Sequence, residues 1–361
     1  MSDIVRLPPG SRIASRHGMS RKYGVARATV DKAIETLEGE GILHSVKGKG
    51  TYVSSALGMP KGSAWGVILP SVLSDVYPGI LRGIEDVARL HQINTIICNT
   101  DNDVRMENEY IRRLAMDGVS GLIIIPAITG HEARSVYDIL CEKGIPFVFC
   151  NRCLDGLPGA PLVCSNGFYG AYAACKHLLS MGYERIAFLA PNRYIGCIER
   201  YNGYAAALAE AGLEVDDRIV ATQLIGDDDQ TVIGCATRML ESENPPDAFF
   251  CFNDRVATKV YRAITRKGLR VSGDIGLMGY DNSDSCEICD VKLTSVDYRN
   301  LEIGRKAAEL LYGMNLGEHT PAFTIHTFMP QIIERESCLG KRAPTALGGF
   351  NEFETAGERG A

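Results

Sequence analysis

The sequence predicts an α/β protein in which a small helix-turn-helix unit with a β-hairpin precedes a larger region of parallel β-sheets. In the first 53 residues, two short helical segments flank a glycine and are followed by two short β-like runs. From residue 64 onward, continuous apolar runs alternate with helical periodicity, which is typical of parallel sheets covered by helices on both faces. A chain of 361 residues is also long enough for two or three folding units.

Charge is divided unevenly between the two regions. The whole chain has a net charge of −6, but residues 1–62 hold ten Lys/Arg and five Asp/Glu, a net charge of +5. The remainder therefore carries −11. A basic head replaces the counterions of nucleic-acid phosphates, while an acidic body discourages non-specific wrapping.

Neither a membrane span nor a signal peptide is visible. No run of eighteen apolar residues occurs, and residues 1–10 lack the apolar core of a secretory signal. We expect a cytoplasmic protein that does not contact a membrane. The twelve cysteines are expected to be reduced in that compartment.

The smaller region opens with two helical segments. Residues 11–23 are polar and basic, Gly24 breaks the segment, and Val25 opens a second helical pattern. The apolar stripe of the second helix consists of Val30, Ala33, Ile34 and Leu37. Gly39 and Gly41 mark its end. Two helices joined by a tight glycine turn predict a helix-turn-helix.

The start of the second helix and the following hairpin present candidate nucleic-acid contacts. Base edges in the major groove are usually read from the N-terminal turn of such a helix, and the guanidinium fork of an arginine matches guanine. Thr29 suits a phosphate. The runs 42–46 and 51–53 flank a Gly-rich basic turn and predict a wing that places lysines along the DNA backbone or in the minor groove. The alternative is an ordinary small domain with a solvated charged face.

These residues resemble the GntR winged-helix family. The motif comprises Pro9-Gly10, Val25-Ala26-Arg27-Ala28-Thr29-Val30, Ala33, Leu37, Glu40-Gly41 and Gly48-Lys49-Gly50-Thr51-Tyr52-Val53. The resemblance implies DNA contacts at Arg27 and Thr29 and in the wing. Relatives usually have Pro-Ser-Glu-Arg where this chain has Ala14-Ser15-Arg16-His17. The complete predicted DNA-binding set is Arg16, His17, Arg27, Ala28, Thr29, Lys32, Lys47, Gly48 and Lys49. The family pattern also includes a helix before Pro8-Pro9-Gly10, and we expect it to be truncated here.

The larger region begins after a small-residue linker at 54–63. Its predicted strands are Trp65–Leu69, Thr95–Cys98, Gly121–Pro126, Pro146–Cys150, Arg185–Leu189, Ala248–Phe252 and Ile275–Met278. Its predicted helices are Ile80–Leu90, Glu107–Met116, Gly170–Met181, Tyr201–Ala211 and Arg255–Lys267.

Polar residues collect where these strands end, which is where α/β sheets bind ligands. The clusters are Ser74-Asp75-Val76-Tyr77, Asn99-Thr100-Asp101, Asn151-Arg152, Asn253-Asp254 and Asp281-Asn282, with Arg200 on a following helix. Carboxylates, amides and a guanidinium bind vicinal hydroxyls, and a tyrosine offers a face to a sugar ring. The set predicts a carbohydrate pocket, although a purine would also satisfy it. Helix capping is the alternative for Asp254 and Asp281, and a surface position is the alternative for Arg200.

The same region, over residues 64–338, resembles the sensor of the LacI/GalR family, itself similar to periplasmic sugar-binding proteins. The motifs are Gly66-Val67-Ile68, Gly83-Ile84, Glu199-Arg200-Tyr201-Asn202-Gly203-Tyr204, Phe252-Asn253-Asp254-Arg255-Val256-Ala257, Gly279-Tyr280-Asp281 and Leu293-Thr294-Ser295-Val296. The effector-binding positions implied by the resemblance are Asp75, Tyr77, Asn151, Arg152, Arg200, Asn253, Asp281 and Tyr298. Many relatives carry Asp at the position of Asn151 and Gln near Tyr298, so the effector is not copied from them.

Together the two resemblances imply a type I periplasmic-binding-protein-like sensor of two lobes, each with a parallel doubly wound sheet, behind a winged helix-turn-helix. This resembles the arabinose-repressor architecture. The implied ranges are 1–53 for the DNA-binding domain, 54–63 for the linker, 64–162 with 297–323 for lobe 1, 163–295 with 325–338 for lobe 2, and 339–361 for a disordered tail, with crossovers near 163, 296 and 324. The implied function is a homodimeric repressor that binds double-stranded operator DNA and releases it when a small polar effector binds, with a sugar as the favoured effector. Corepression, in which the effector promotes DNA binding, uses the same machinery and stays open.

Two other classes of function compete with a ligand-controlled repressor. An enzyme is disfavoured because neither a Gly-x-Ser-x-Gly elbow nor a Gly-x-x-x-x-Gly-Lys phosphate loop occurs. Zinc or redox sensing stays open because Cys150 and Cys153, and Cys286 and Cys289, form two Cys-x-x-Cys pairs. Because the two pairs lie far apart in the sequence, chance pairs of small buried side chains are the favoured explanation, and we predict no metal and no cofactor.

Overall fold

The computed structural model describes residues 11–39, 42–46, 49–53, 63–130, 135–153, 160–191, 195–224, 229–287, 290–318, 320–321 and 324–340. The chain divides into two compact units. Unit 1 comprises Met1–Ser165 with Arg299–Phe328, and unit 2 comprises Asn166–Tyr298 with Met329–Ala361. The crossovers predicted near 163, 296 and 324 lie a few residues before these divisions.

The N-terminal part of unit 1 is a helix-turn-helix with a hairpin. Its elements are α1 (Arg16–Tyr23), α2 (Arg27–Gly39), β1 (Leu43–Val46) and β2 (Gly50–Val53), with β1 and β2 antiparallel. Ser15 caps α1 because its Oγ accepts the N–H of Gly18 at 3.1 Å, and Gly24 ends the helix with a φ of 63°. A small core holds the elements together: Ile13, Met19, Val30, Ile34, Leu43 and Val53. The predicted helix-turn-helix and hairpin are both present.

One residue of the predicted apolar stripe lies elsewhere. Val30 and Ile34 of α2 are buried and Leu37 packs against them, but Ala33 is exposed. A step of three residues falls short of a full helical turn, so Ala33 lies at the edge of the stripe rather than at its centre. Its small side chain joins the exposed face of α2 instead.

Beyond residue 62 the described chain forms the following elements, given in chain order. They are β3 (Ala64–Leu69), α3 (Tyr77–Leu90), β4 (Asn94–Asn99), α4 (Val104–Asp117), β5 (Gly121–Ile124), α5 (Val136–Glu142), β6 (Phe147–Cys150), β7 (Leu162–Ser165), α6 (Gly167–Ser180), β8 (Ile186–Pro191), α7 (Ile195–Glu210), β9 (Val220–Leu224), α8 (Asp229–Leu240), β10 (Ala248–Cys251), α9 (Asp254–Arg266), β11 (Gly276–Tyr280), β12 (Thr294–Asp297), α10 (Asn300–Asn315), β13 (Ile325–Phe328) and β14 (Gln331–Ile333).

The sheet of unit 1 has the strand order β13-β7-β6-β5-β3-β4, and all its neighbouring strands run parallel. Fully buried side chains such as Ile68, Leu122 and Phe149 pack the sheet against its helices. Helices α3 and α10 approach closely because glycines lie between them. A Cβ on Gly83 would lie 2.6 Å from the backbone nitrogen of Arg305.

The sheet of unit 2 has the order β14-β12-β11-β10-β8-β9. Its strands are parallel except β14, which pairs antiparallel with β12. The predicted α/β class with two parallel sheets is confirmed, and the antiparallel edge strand β14 is a detail that the sequence did not predict. The core beneath includes Phe249, Val260 and Leu277. None of the helices within the described ranges is long and apolar enough to cross a membrane.

Candidate effector and nucleic-acid sites

The exposed face of α2 gathers several of the predicted DNA-binding residues. Arg27, Ala28 and Thr29 form the exposed first turn, and Lys32 follows one turn later. An open furrow on this face is lined by Ala28, Thr29, Lys32, Ala33 and Thr36. The furrow therefore combines methyl groups, hydroxyls and one cation, which are the groups that contact base edges in a major groove.

Asp31, which lies outside the predicted DNA-binding set, connects the two helices. The carboxylate of Asp31 on α2 pairs with Arg16 Nε at 2.8 Å and lies 3.8 Å from Arg27 Nε. His17 Nε2 lies 3.2 Å from a guanidinium nitrogen of Arg21. Asp31 thus ties predicted DNA contacts on α1 and α2 to one carboxylate. Its spacing of four from Arg27 was the sequence signal.

The predicted wing lies only partly within the described residues. Lys47 and Gly48 fall outside them, whereas Lys49 is exposed and its carbonyl accepts the hydroxyl hydrogen of Tyr52 at 3.1 Å. The rings of Tyr52 and His44 stack across the hairpin with centroids 5.8 Å apart. The hairpin thus holds Lys49 at its exposed tip.

The predicted effector residues fall into two groups, one in each unit. In unit 1, Asp75 is exposed in the turn before α3, and Tyr77 begins that helix with its side chain largely buried. Asn151 and Arg152 follow β6, and Asn151 has a φ of 66°, in the left-handed region.

Arg152 is fixed by the segments that follow β4 and β5, the two strands on either side of β3. Its Nε donates to the carbonyl of Pro126 at 2.7 Å, and its Nη2 donates to Asn102 Oδ1 at 3.0 Å. The same Asn102 oxygen accepts the N–H of Ile128 at 3.1 Å. Asn102 is therefore an organising residue of this group that was missed, although it directly follows the predicted Asn99-Thr100-Asp101 cluster.

The group in unit 2 is centred on Arg200 of α7. This guanidinium donates through Nη2 to Asp281 Oδ1 at 3.3 Å and through Nη1 to the carbonyl of Phe252. The side chains of Arg200 and Asp281 are only 8% and 4% exposed. A charge pair buried to this extent costs desolvation and is maintained by its hydrogen bonds and its geometry. The alternative that Arg200 lies on the surface is therefore wrong.

Three aromatic rings surround the Arg200 guanidinium. Its central carbon lies 3.6 Å from the ring centroid of Tyr280, 4.2 Å from that of Phe252 and 5.5 Å from that of Tyr298. Burial raises the pKa of Tyr280, so its hydroxyl stays protonated. The structure brings together the predicted Arg200, Asp281 and Tyr298 and adds two rings, at Phe252 and Tyr280, that were not assigned to the site. Phe252 directly follows β10 and Tyr280 ends β11. These strands are neighbours in the sheet but distant in sequence, so only the strand order brings the two rings together.

Asn253, and not Asp254, caps helix α9, so the capping alternative is wrong for Asp254. Asn253 caps α9, since its Oδ1 accepts the N–H of Val256 at 2.9 Å. Asp254 is buried and contacts other segments instead. Asp281 has a φ of 98° and pairs with Arg200, so the capping alternative is wrong for it as well.

The cysteine pairs give the zinc hypothesis no support within the described residues. Cys150 is buried in unit 1, Cys286 is buried in unit 2, and burial raises the pKa of both thiols. Cys153 is exposed, and Cys289 lies outside the described residues. Across the described ranges, no three His, Cys, Asp or Glu side chains are grouped as a metal site would require.

Comparison with known proteins gives two family matches along the chain. Residues 63–332 match the family described as periplasmic binding proteins and sugar binding domain of LacI family. Residues 3–53 match the family described as bacterial regulatory proteins, gntR family. Both resemblances drawn from the sequence are thereby confirmed.

Individual relatives match over most of their length. The chain is 27% identical over 341 residues to the arabinose metabolism transcriptional repressor of Geobacillus stearothermophilus, which covers 92% of this chain and 93% of the relative. It is 26% identical over 340 residues to the HTH-type transcriptional repressor PurR of Vibrio atlanticus (strain LGP32), covering 93% and 98%. A LacI family transcriptional regulator from Enterococcus faecium, solved with bound ribose, superposes with a TM-score of 0.67 at 27% identity, covering 78% of this chain and all of that one. Because the first family match spans well over half of the chain, the protein belongs to the periplasmic binding proteins and LacI-family sugar-binding domains, with a regulator domain of the gntR family in front.

Proposed function

We propose that the protein is a transcriptional repressor whose binding to operator DNA is controlled by a sugar. The observation that carries the sugar assignment is the buried pair of Arg200 and Asp281, with three aromatic rings around the guanidinium. The relatives named as repressors and the related regulator solved with ribose support the same assignment. The protein would act in the cytoplasm, where bacterial DNA lies.

The DNA-binding half of the proposal rests on α2 and the hairpin. Arg27 and Lys32 offer donors to guanine, whereas the methyl groups of Ala28 and Thr29 suit a thymine methyl. The exposed Lys49 suits a backbone phosphate or the minor groove. We therefore assign base recognition to the face of α2 and positioning on the duplex to the hairpin.

The effector half of the proposal rests on the chemistry of unit 2. A carboxylate such as that of Asp281 is an acceptor suited to sugar hydroxyls, and Arg200 beside it is already oriented. Aromatic faces such as Tyr298 pack against the C–H face of a sugar ring. Arg152 in unit 1, held by Asn102 and Pro126, is a further pre-oriented donor of the same kind. We assign the group of unit 2 to the effector, and the role of Arg152 in binding it stays a prediction from the sequence.

We also propose that the protein is a homodimer in which a second copy covers the β4 edge of the sheet in unit 1. Strand β4 ends the sheet, and its Ile96 and Ile97 are 39% and 47% exposed. Val72 and Leu73 extend this apolar surface, since the Val72 N–H donates to Asn99 Oδ1 at the end of β4. An edge strand with exposed isoleucines is normally protected by a partner. Two copies would present two reading heads to a two-fold operator.

A thermal-shift screen tests the sugar assignment. The full chain is heated with pentoses, hexoses, sugar phosphates and nucleosides, and in a parallel arm with a metal chelator. A sugar at a hundred times its Kd should stabilise the protein by about 2.7 kcal/mol. The shift should disappear in Arg200→Ala but persist in Arg270→Ala, a matched control whose exposed guanidinium pairs with Asp274. A shift with nucleosides alone would replace the sugar by a purine, and a lower melting temperature with chelator would replace it by a metal.

A further inference from the structure

A buried carboxylate outside the predicted effector set lies behind the loop that carries Asp281. Asp254, the first residue of α9, is 1% exposed. Its Oδ1 accepts the hydroxyl hydrogen of Ser295 at 2.6 Å, and its Oδ2 accepts the backbone N–H of Ser283 at 2.7 Å. This carboxylate therefore joins the start of α9 to strand β12 and to the segment that follows β11.

The segment that Asp254 holds has an unusual backbone. Asp281 and Asn282 have φ values of 98° and 49°, in the left-handed region that residues with a Cβ rarely adopt. Such a conformation persists only when the surrounding structure fixes it. The Asp281 N–H donates to the carbonyl of Val296 at 2.8 Å, and the Asn282 N–H donates to Ser295 Oγ at 3.1 Å. Ser295 Oγ thus donates its hydrogen to Asp254 and accepts the N–H of Asn282. Asp254 therefore orients the hydroxyl group that binds Asn282.

Arg335, two residues after β14, also binds this segment. Its Nη2 donates to Asn282 Oδ1 at 2.8 Å, and its Nη1 donates to the carbonyl of Leu293 at 2.9 Å. Its Nε bonds Glu287 at 3.0 Å. The planar fork of an arginine fixes several acceptors at once, so Asn282 is held through its backbone by Ser295 and through its side chain by Arg335.

We propose that Asp254, acting with Arg335, is a positioning residue for effector recognition: it fixes the strained Asp281-Asn282-Ser283 turn so that the Asp281 carboxylate stays beside Arg200. The inference rests on the proposed function, because it assigns Asp281 to the effector. Asp254 acts through the turn rather than on the effector itself. The competing role, a charge at the N-terminus of α9 that only stabilises the helix dipole, predicts effects within α9 and none in the turn.

Amide hydrogen exchange measured by NMR on the full chain separates these roles without any effector. In Asp254→Ala, the amides of Asn282 and Ser283 should exchange roughly 10- to 100-fold faster, because each loses a hydrogen bond that depends on a charged acceptor. In Ser295→Ala, which keeps the carboxylate, only the Asn282 amide should accelerate. Asp274→Ala, which breaks an exposed pair with Arg270, should leave both amides unchanged.

Calorimetric titration with D-ribose and L-arabinose supplies the functional readout. A sugar that binds the wild-type protein should bind at least tenfold more weakly to Ser295→Ala and Asp254→Ala, and with unchanged affinity to Asp274→Ala. Turn amides that keep their exchange rates in both variants would overturn the proposal, and so would a sugar affinity that survives their loosening. If the amides accelerate but neither sugar binds the wild-type protein, the positioning of the turn stands and these sugars fail as effectors.

Discussion

Replacing Asp281 with alanine should destabilise unit 2 far more than breaking a surface ion pair would. The Arg200 and Asp281 side chains are 8% and 4% exposed, so the variant leaves a guanidinium buried without its carboxylate. Losing one partner of a buried pair typically costs about 3 to 5 kcal/mol. Arg200 keeps the Phe252 carbonyl and three rings, and cation–π contacts of a desolvated cation are worth up to about 2 kcal/mol. We therefore expect the lower end of the range, about 3 kcal/mol.

Urea unfolding at neutral pH, followed by the midpoint at constant m value, measures this loss. The double variant Asp281→Ala, Arg200→Met should be less destabilised than Asp281→Ala alone, because it removes both charges of the pair and leaves neither buried without the other. Asp274→Ala is the control, since it breaks a pair in which Arg270 is 78% exposed, and it should cost less than about 1 kcal/mol. An Asp281→Ala loss as small as this control, or a double variant as unstable as the sum of both single variants, would refute the reasoning.

Three further predictions concern other parts of the chain. Asp31→Asn removes a negative charge beside the predicted DNA contacts and should strengthen binding to every DNA sequence, with a stability change below about 1 kcal/mol because the pair is part-exposed. Gly203→Ala should cost about 1 to 3 kcal/mol by forcing α6 and α7 apart, since the new Cβ would collide with backbone, whereas Gly234→Ala, with nothing nearer than 3.7 Å, should stabilise α8 by about 0.5 to 1 kcal/mol. Burial raises the pKa of Asp254 above its ordinary 3.8, so its contribution to stability should be largest below that pH and decline as pH rises through the raised value.

These predictions are checked by DNA titrations at two salt concentrations, by melting temperatures, and by urea unfolding from pH 4 to 7. An Asp31→Asn variant that binds DNA more weakly would mean that this carboxylate orients the arginines more than it repels phosphate. Equal melting temperatures for the two glycine variants would contradict the close approach of α6 and α7. For Asp254, the stability difference between wild type and Asp254→Asn should shift with pH, and a constant difference would exclude the raised pKa.

The strands and helices with strong apolar patterns could be predicted from the sequence. β5 and β10 are buried along their whole length and appear as unbroken apolar runs. β7 and β13 were missed because they lie towards an edge of their sheet, where burial alternates or is incomplete. α10 was missed as well, and the residue before it, Arg299, gives no side-chain cap. β7 and β13 pair with each other although they are distant in the sequence, so no local pattern reveals either strand.

The candidate site, like the fold, could be predicted only in part from the sequence. Arg200 and Asp281 could be singled out because each is polar beside an apolar strand or helix start. Their pairing across 81 positions of the chain, and the ring of Phe252 beneath the guanidinium, depend on strand order in the sheet. Asp254 looked like a cap because it begins a helix, yet Asn253 takes that role and leaves Asp254 to the turn.

The most direct test of the account is release of DNA by a sugar. A duplex that the full chain selects from a random library is labelled, and its anisotropy with wild-type protein is followed as pentoses and hexoses are added singly. The account predicts that one sugar or a closely related pair releases the duplex, and that Arg200→Ala and Asp281→Ala still bind the DNA but no longer respond. A wild-type complex that no sugar changes, at concentrations that saturate related sensors, would contradict it.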